Sequence, residues 1–190
     1  MSNTIENFKT PPFIQSRSGG YINLLEPDSG LFCIEDIAHA LSHICRFCGH
    51  SREFYSVAQH SVLTSRLVPE DDAMAALLHD AAEAYIGDIT THLKRLLPDY
   101  QVIEQRMESA VFAKFGVAYP LPKSVKHADL VMLATERRDL MTVDESSWWA
   151  GIEGITPASF QISPESPDKA KQSFLERFGH LSSNRGLDLC

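Results

Sequence analysis

The stretch EDDAMAALLHDAAEAYI, residues 70–86, decides how the chain is read. It opens on Glu70, Asp71 and Asp72, where a helix N-terminus favours negative charge, and continues through alanine and leucine, which are strong helix formers. The pattern predicts one helix over residues 70–86. Near its middle His79 and Asp80 are adjacent, a metal-capable imidazole beside a carboxylate in an otherwise apolar run.

Helical patterning extends outward on both sides. Upstream, IEDIAHALSHICRF (34–47) carries Ile34, Ile37, Ala38, Leu41 and Ile44 at helical spacing, and SVAQHSVLTSRLV (56–68) opens on Ser56, a candidate N-cap. Downstream, DYQVIEQRMESAVFAKFG (99–116) closes on Gly116, and KSVKHADLVMLATERRDLM (123–141) begins just after Pro120 and Pro122. Residues 145–167 are loop-like, and DKAKQSFLERFGHLS (168–182) predicts a last helix. Only residues 1–33 lack this patterning. In GGYINLLEPDSGLFCI (19–34) the turn signal Pro27-Asp28-Ser29-Gly30 separates two short apolar runs, which predicts a hairpin or paired strands. The expectation is an all-α fold in which 1–33 forms a short extended or hairpin N-terminal segment of the same domain as 34–190.

Composition narrows the function classes. With 190 residues, 44% of them hydrophobic, the chain is long enough to bury a core as one domain. A formal net charge of -8 argues against gripping a nucleic-acid polymer, which requires clustered Lys and Arg, and against docking on anionic lipid. A small anionic substrate stays compatible, because a few cations in one pocket outweigh the global field locally. The N-terminus has no basic region followed by an apolar one, and no apolar run approaches a membrane span. Cys33, Cys45, Cys48 and Cys190 are then expected to be reduced thiols of a cytoplasmic protein.

HICRFCGH (43–50) puts two cysteines and two histidines together, which raises the question of a zinc site. A Cys₂His₂ site needs ligands converging from around the ion, usually with a long loop or helix between the pairs. Here a helix running into a loop would point the four side chains apart, so Cys45 and Cys48 are read as packing thiols. His39 and His43, four residues apart on one face, lack both an HExxH pattern and an evident third ligand. A better set is spread along the chain. His60, the His79-Asp80 pair and Asp129 lie on three separate patterned segments, and neighbouring helices could close a groove around one ion. Two imidazoles and two carboxylates suit a divalent ion, and four ligands leave room for water and substrate oxygen.

The order H…HD…D, with HDAAE (79–83), the Gly87-Asp88 pair, Lys94 and VKHAD (125–129), resembles the HD-domain metal-dependent phosphohydrolases. More narrowly it is similar to their small bacterial and phage branch, the 5'-deoxynucleotidases and phage dATP triphosphohydrolases. The likeness runs from about Ile34 to Met141. It implies a compact HD-domain helical bundle and one divalent ion (Co, Mn, Mg, Fe, Ni or Zn) on His60, His79, Asp80 and Asp129. It also implies a small-molecule deoxynucleotide substrate and a homo-oligomer.

The resemblance gives Glu83 the attacking water or the proton of the leaving oxygen, and Asp88 the sugar end. Arg46, Lys94 and Lys126 match phosphate-contacting cations. Arg46 offers a two-pronged fork to phosphate, and Lys126 falls one turn before Asp129. Phe47 stands where the deoxynucleotidases resemble Arg-Trp, and a ring there could pack against the sugar. The segment GDITTHLK (87–94) departs from the proline-containing pattern of relatives, which leaves specificity open. His50, Trp148 and Trp149 are further candidates for the cleft, with packing an equal explanation for the tryptophans. The TERRDL segment (135–140) is read as an ion-paired helix face. No G-x-S-x-G elbow, P-loop or G-x-G-x-x-G loop is present. The expected reaction is dNMP plus water to deoxynucleoside plus phosphate. Release of triphosphate from a dNTP and a non-catalytic regulatory module are the alternatives.

Overall fold

The amphipathic stripe of residues 34–44 becomes helix α1 (Ile34–His43), which buries Ile34, Ile37, Ala38 and Leu41 as the spacing requires. The computed structural model describes residues 12–142, 149 and 151–183. Preceding α1 is a two-stranded antiparallel hairpin, β1 (Phe13–Gln15) and β2 (Tyr21–Asn23), with Ile14 opposite Ile22. The hairpin turns at residues 16–20, not at Pro27–Gly30 as expected. At the expected place, the Asp28 carboxylate accepts the Gly30 N–H at 2.9 Å and winds residues 29–31 into a single 3-10 turn that leads into α1. Ser18, at the true turn, donates its N–H and hydroxyl to the Asp36 carboxylate of α1 at 3.0 and 2.6 Å, which fastens the hairpin to the helix.

α1 stops at His43 instead of running to Phe47. Ile44 is extended, and Phe47, Cys48 and Gly49 all take left-handed backbone angles, φ 55°, 52° and 79°. That conformation costs a non-glycine residue roughly 1–2 kcal/mol. It is held by backbone bonds that close the loop, from Arg46 N–H to Tyr55 O at 2.9 Å and from Val57 N–H to Ile44 O at 3.1 Å.

The loop delivers the chain to α2 (Val57–Thr64), where Ser56 caps the helix as expected by accepting the Gln59 N–H at 3.2 Å. The stretch of residues 70–86 is not one helix. It divides into α3 (Ala73–Leu78) and α4 (Glu83–Ile86), separated by a turn at residues 79–82. The N–H groups of Ala81, Glu83, Ala84 and Tyr85 bond carbonyls three residues back, a tightened winding that alanine-rich composition does not announce. A short α5 (Thr91–Lys94) follows, then α6 (Pro98–Lys114), α7 (Lys123–Leu140) and α8 (Pro167–Ser182). The last three start or end within two residues of their expected limits, and the described part of 145–167 is non-helical as expected.

α8 packs against α1, α2 and α3, and α7 against α2 and α3. Their common core includes Phe32, Leu41, Leu77, Phe112, Phe115, Phe174 and Phe178, with Ile22 of the hairpin inserted into it. The Phe115 and Phe178 rings meet edge to face at 5.5 Å. Burial of each such side chain stabilises the fold by about 1.5–3 kcal/mol, so α2, α3 and α7 form a rigid frame around whatever side chains they turn inward. The described residues are mainly helical, and no helix among them is long and apolar enough to cross a membrane.

Candidate metal centre

Three elements aim side chains at one point. His60 comes from α2, His79 from the end of α3, and Asp129 from α7. One ligand atom of each lies within 4.8 Å of the others, and among the described residues this is the group of His, Cys, Asp and Glu able to hold a metal ion. The Nε2 atoms of the two histidines are 3.3 Å apart. Asp129 Oδ1 is 3.5 Å from His60 Nε2 and 4.0 Å from His79 Nε2. Asp80, adjacent to His79, places Oδ2 3.2 Å from His79 Nε2 and 3.6 Å from His60 Nε2. Atoms bound about 2.1 Å from a divalent ion lie about 3.0 Å apart at neighbouring octahedral positions and about 3.4 Å apart at tetrahedral ones. The observed separations fall close to that range.

The far side of each imidazole is tied. His79 Nδ1 is 2.8 Å from the Ala76 carbonyl oxygen, which can only accept, so Nδ1 carries the proton and the Nε2 lone pair faces the cluster. His60 Nδ1 is 2.6 Å from Glu136 Oε1, a carboxylate on α7 with no exposed surface, and is fixed the same way. Two imidazole lone pairs facing each other at 3.3 Å repel unless positive charge lies between them. Burial and Arg46 act to lower the His60 pKa, yet Glu136 and Asp129 outweigh them and raise it to about 9. The field at the centre therefore favours a cation, a proton or a metal ion.

Arg46 enters from the left-handed loop. Its guanidinium donates to Glu136 Oε2 at 3.2 Å and to Asp80 Oδ2 at 3.5 Å. Burial opposes its charge, but Glu136 and then Asp80 outweigh that and hold it protonated. Phe47 lies 5.5 Å from the Arg46 guanidinium and 5.7 Å from the Trp149 ring. Trp148 lies outside the described residues. Glu83 is buried, with Oε1 3.6 Å from Lys94 Nζ and Oε2 without a hydrogen-bond partner. Burial, then the charges of Asp80 and Asp88, push the Glu83 pKa well above its ordinary value. Asp88 is raised as well, chiefly by burial.

Lys94 Nζ is 2.5 Å from Glu104 Oε1 of α6 and 3.6 Å from Glu83 Oε1, so the lysine that the resemblance assigns to phosphate already has a counter-ion in Glu104. Lys126 is largely exposed and pairs with Asp129 Oδ2 at 2.9 Å, at the rim of the cluster. Cys45 and Cys48 are free thiols, as expected, and Cys190 lies outside the described residues. His39 and His43 contact each other on α1, and His50 is exposed.

Glu136 corrects the sequence reading. The TERRDL segment does carry an ion pair, Arg138 with Asp139 at 2.6 Å, but Glu136 in the same segment points into the core. The available signal was its spacing. Glu136 follows Asp129 by seven residues, about two helical turns, which puts both on one face of α7.

Glu108, further along α6, is pushed up from its ordinary 4.5 to about 7 by burial and by Glu104. The folded protein then binds more protons than the unfolded chain between those values, so this residue's contribution falls as pH rises through that window. Glu108→Gln is expected to raise Tm by a few degrees at pH 8, the scale of about 1 kcal/mol for a partly exposed group in a chain of this size. Thermal melts at pH 5 should show that advantage shrinking, and an equal gain at both pH values would exclude this origin.

No family model matches the chain. Two bacterial proteins are similar to it. Uncharacterized protein YfdR of Escherichia coli (strain K12) is 48% identical over 175 residues, spanning 91% of this chain and 97% of that protein. Uncharacterized protein RCAP_rcc00048 of Rhodobacter capsulatus is 34% identical over 143 residues, 68% of this chain and 73% of that protein. Identity of this degree over nearly the full length of both sequences means that the chain belongs to the same family as YfdR.

Proposed function

We propose that this protein is a divalent-metal-dependent phosphohydrolase of the HD-domain type that converts a deoxynucleoside 5'-monophosphate and water into deoxynucleoside and phosphate. The observation that carries the reading is the convergence of two tied imidazoles and an aspartate, with their free ligand atoms turned to one point. Asp80 beside them completes an all N/O donor set, which suits Mn, Co, Fe, Mg, Ni or Zn. A divalent ion held there supplies Lewis acidity and lowers the pKa of a coordinated water.

The chain's own residues supply the rest. Arg46, already aimed at the cluster, binds the phosphate oxygens with its fork once it exchanges its Asp80 contact for substrate. A water oxygen then bonds to phosphorus, keeping one proton on the new phosphate and releasing the other to restore the acid form of Glu83. As it does, the bond from phosphorus to the sugar 5' oxygen breaks, and that oxygen takes the leaving electron pair and needs a proton. Glu83, kept protonated by burial beside Asp80, donates it. Phe47 and Trp149, next to Arg46, would pack against sugar and base, and the resemblance gives Asp88 the sugar end.

The disposition of the cations favours the monophosphate over the triphosphate. With Lys94 paired to Glu104, Arg46 and the rim residue Lys126 remain to balance phosphate charge, which suits one phosphate group better than three. The test is to strip the protein of metal and re-add Mn²⁺, Co²⁺ or Mg²⁺ separately against a panel of dNMPs, NMPs and dNTPs. Metal-dependent phosphate release from dNMPs is expected. Triphosphate release from dNTPs would replace the substrate assignment, and no turnover with any metal would leave a nucleotide-binding regulatory module as the better reading.

A further inference from the structure

Glu136 is a carboxylate of α7 without exposed surface, and it is absent from the ligand set. Its two oxygens are divided between two functional groups. Oε1 meets His60 Nδ1 at 2.6 Å, and Oε2 meets an Arg46 guanidinium nitrogen at 3.2 Å. Burying a charge is costly unless each of its oxygens is paired, and here the partners are the most enclosed imidazole of the cluster and an arginine that also reaches Asp80. A side chain needed only for packing at this point of α7 would be apolar, like its buried neighbours Met132 and Leu140 on the same helix.

We infer that Glu136 is a positioning residue, which locks His60 with its Nε2 lone pair towards the metal and fixes Arg46 beside the same centre. The inference rests on the metal-centre reading above. Its mechanism is tautomer control. A carboxylate accepts only, so it keeps the proton on Nδ1 and leaves Nε2 free to ligate. An amide in the same place can donate as well as accept, and no longer dictates which nitrogen carries the proton. The same carboxylate sets the loop arginine at a fixed distance from the cluster, so the phosphate fork and the ligand are aligned by one group.

The test is Co²⁺ titration of metal-stripped wild type, Glu136→Gln and Glu136→Asp, following the visible absorption of the bound ion, with circular dichroism and melts to establish folding. The expected result is a 10- to 100-fold loss of Co²⁺ affinity in the folded Glu136→Gln protein together with a changed absorption spectrum. Glu136→Asp keeps the charge but is one methylene shorter, and should lie between Gln and wild type. A folded Gln variant with wild-type affinity and spectrum, whatever its Tm, would overturn the positioning role while leaving the metal reading intact. Should the Gln variant not fold, the Asp variant is read by the same criterion. Failure of the wild type itself to bind Co²⁺ would overturn the metal reading, and this inference with it.

Discussion

Asp80→Ala is expected to leave the protein folded but unable to retain a divalent ion through dialysis, and to lower turnover at least 10³-fold, about 4 kcal/mol. Asp80 Oδ2 lies 3.2 and 3.6 Å from the two Nε2 atoms, so its removal takes one negative ligand from the set. The larger effect comes from Arg46. Its guanidinium is divided between Asp80 and Glu136, and with Asp80 gone its charge stands nearer the centre with only Glu136 opposing it. A cation then meets both a poorer ligand set and a stronger repulsion. Metal content by elemental analysis after dialysis, beside phosphate release, checks this. Full metal retention in Asp80→Ala would mean that His60, His79 and Asp129 suffice as ligands and that Asp80 serves Arg46 alone.

Much of this arrangement was legible in the chain, and the parts that were not share a cause. The apolar stripes of α1 and α7 and the capping residue Ser56 are local signals, and each element they foretell is present. The joining of His60, His79 and Asp129 was also foreseeable, because helices that pack through those stripes must turn some polar residues towards one another. The misread places are those where tertiary bonding overrides local preference. Residues 70–86 have helix-forming composition throughout, yet the winding tightens at His79 and Asp80, and the two chemical side chains sit in the turn and not on a regular face. Residues 43–50 continue the α1 pattern, but backbone pairing to residues 55–57 bends them into three left-handed steps. That strain carries Arg46 to the cluster, and nothing in the composition of the segment encodes it.

Burial accounts for Glu136. It is a charged letter in helical sequence, and a charged letter is ordinarily a solvated one. Only the packed structure distinguishes it from Glu104 or Glu108, which border solvent. Lys94 is the converse case, since a lysine that resemblance assigns to phosphate is paired to Glu104. A sequence lists charges without their partners, whereas function depends on which charges lack water and which already have a counter-ion.

Glu83 gives the second large effect. Glu83→Gln is expected to keep wild-type metal content while turnover falls about 10²- to 10⁴-fold, the range for losing a positioned general acid. Glu83 begins α4 one turn after His79, so it lies near the cluster, yet no atom of it lies within the ligand group. Glutamine preserves its size and one acceptor oxygen but has no acidic proton to give the leaving oxygen. The pH profile separates this from a packing defect. Burial and the nearby Asp80 and Asp88 charges raise the Glu83 pKa, so the protonated, competent form persists above the ordinary carboxylate range. Activity of the wild type should then fall as pH rises through that raised value, because an acid that has lost its proton cannot donate it. In Glu83→Gln the residual rate should lack that fall. Metal loss equal to that of Asp80→Ala would show instead that Glu83 is a ligand, and an unchanged basic limb would assign the proton to another group.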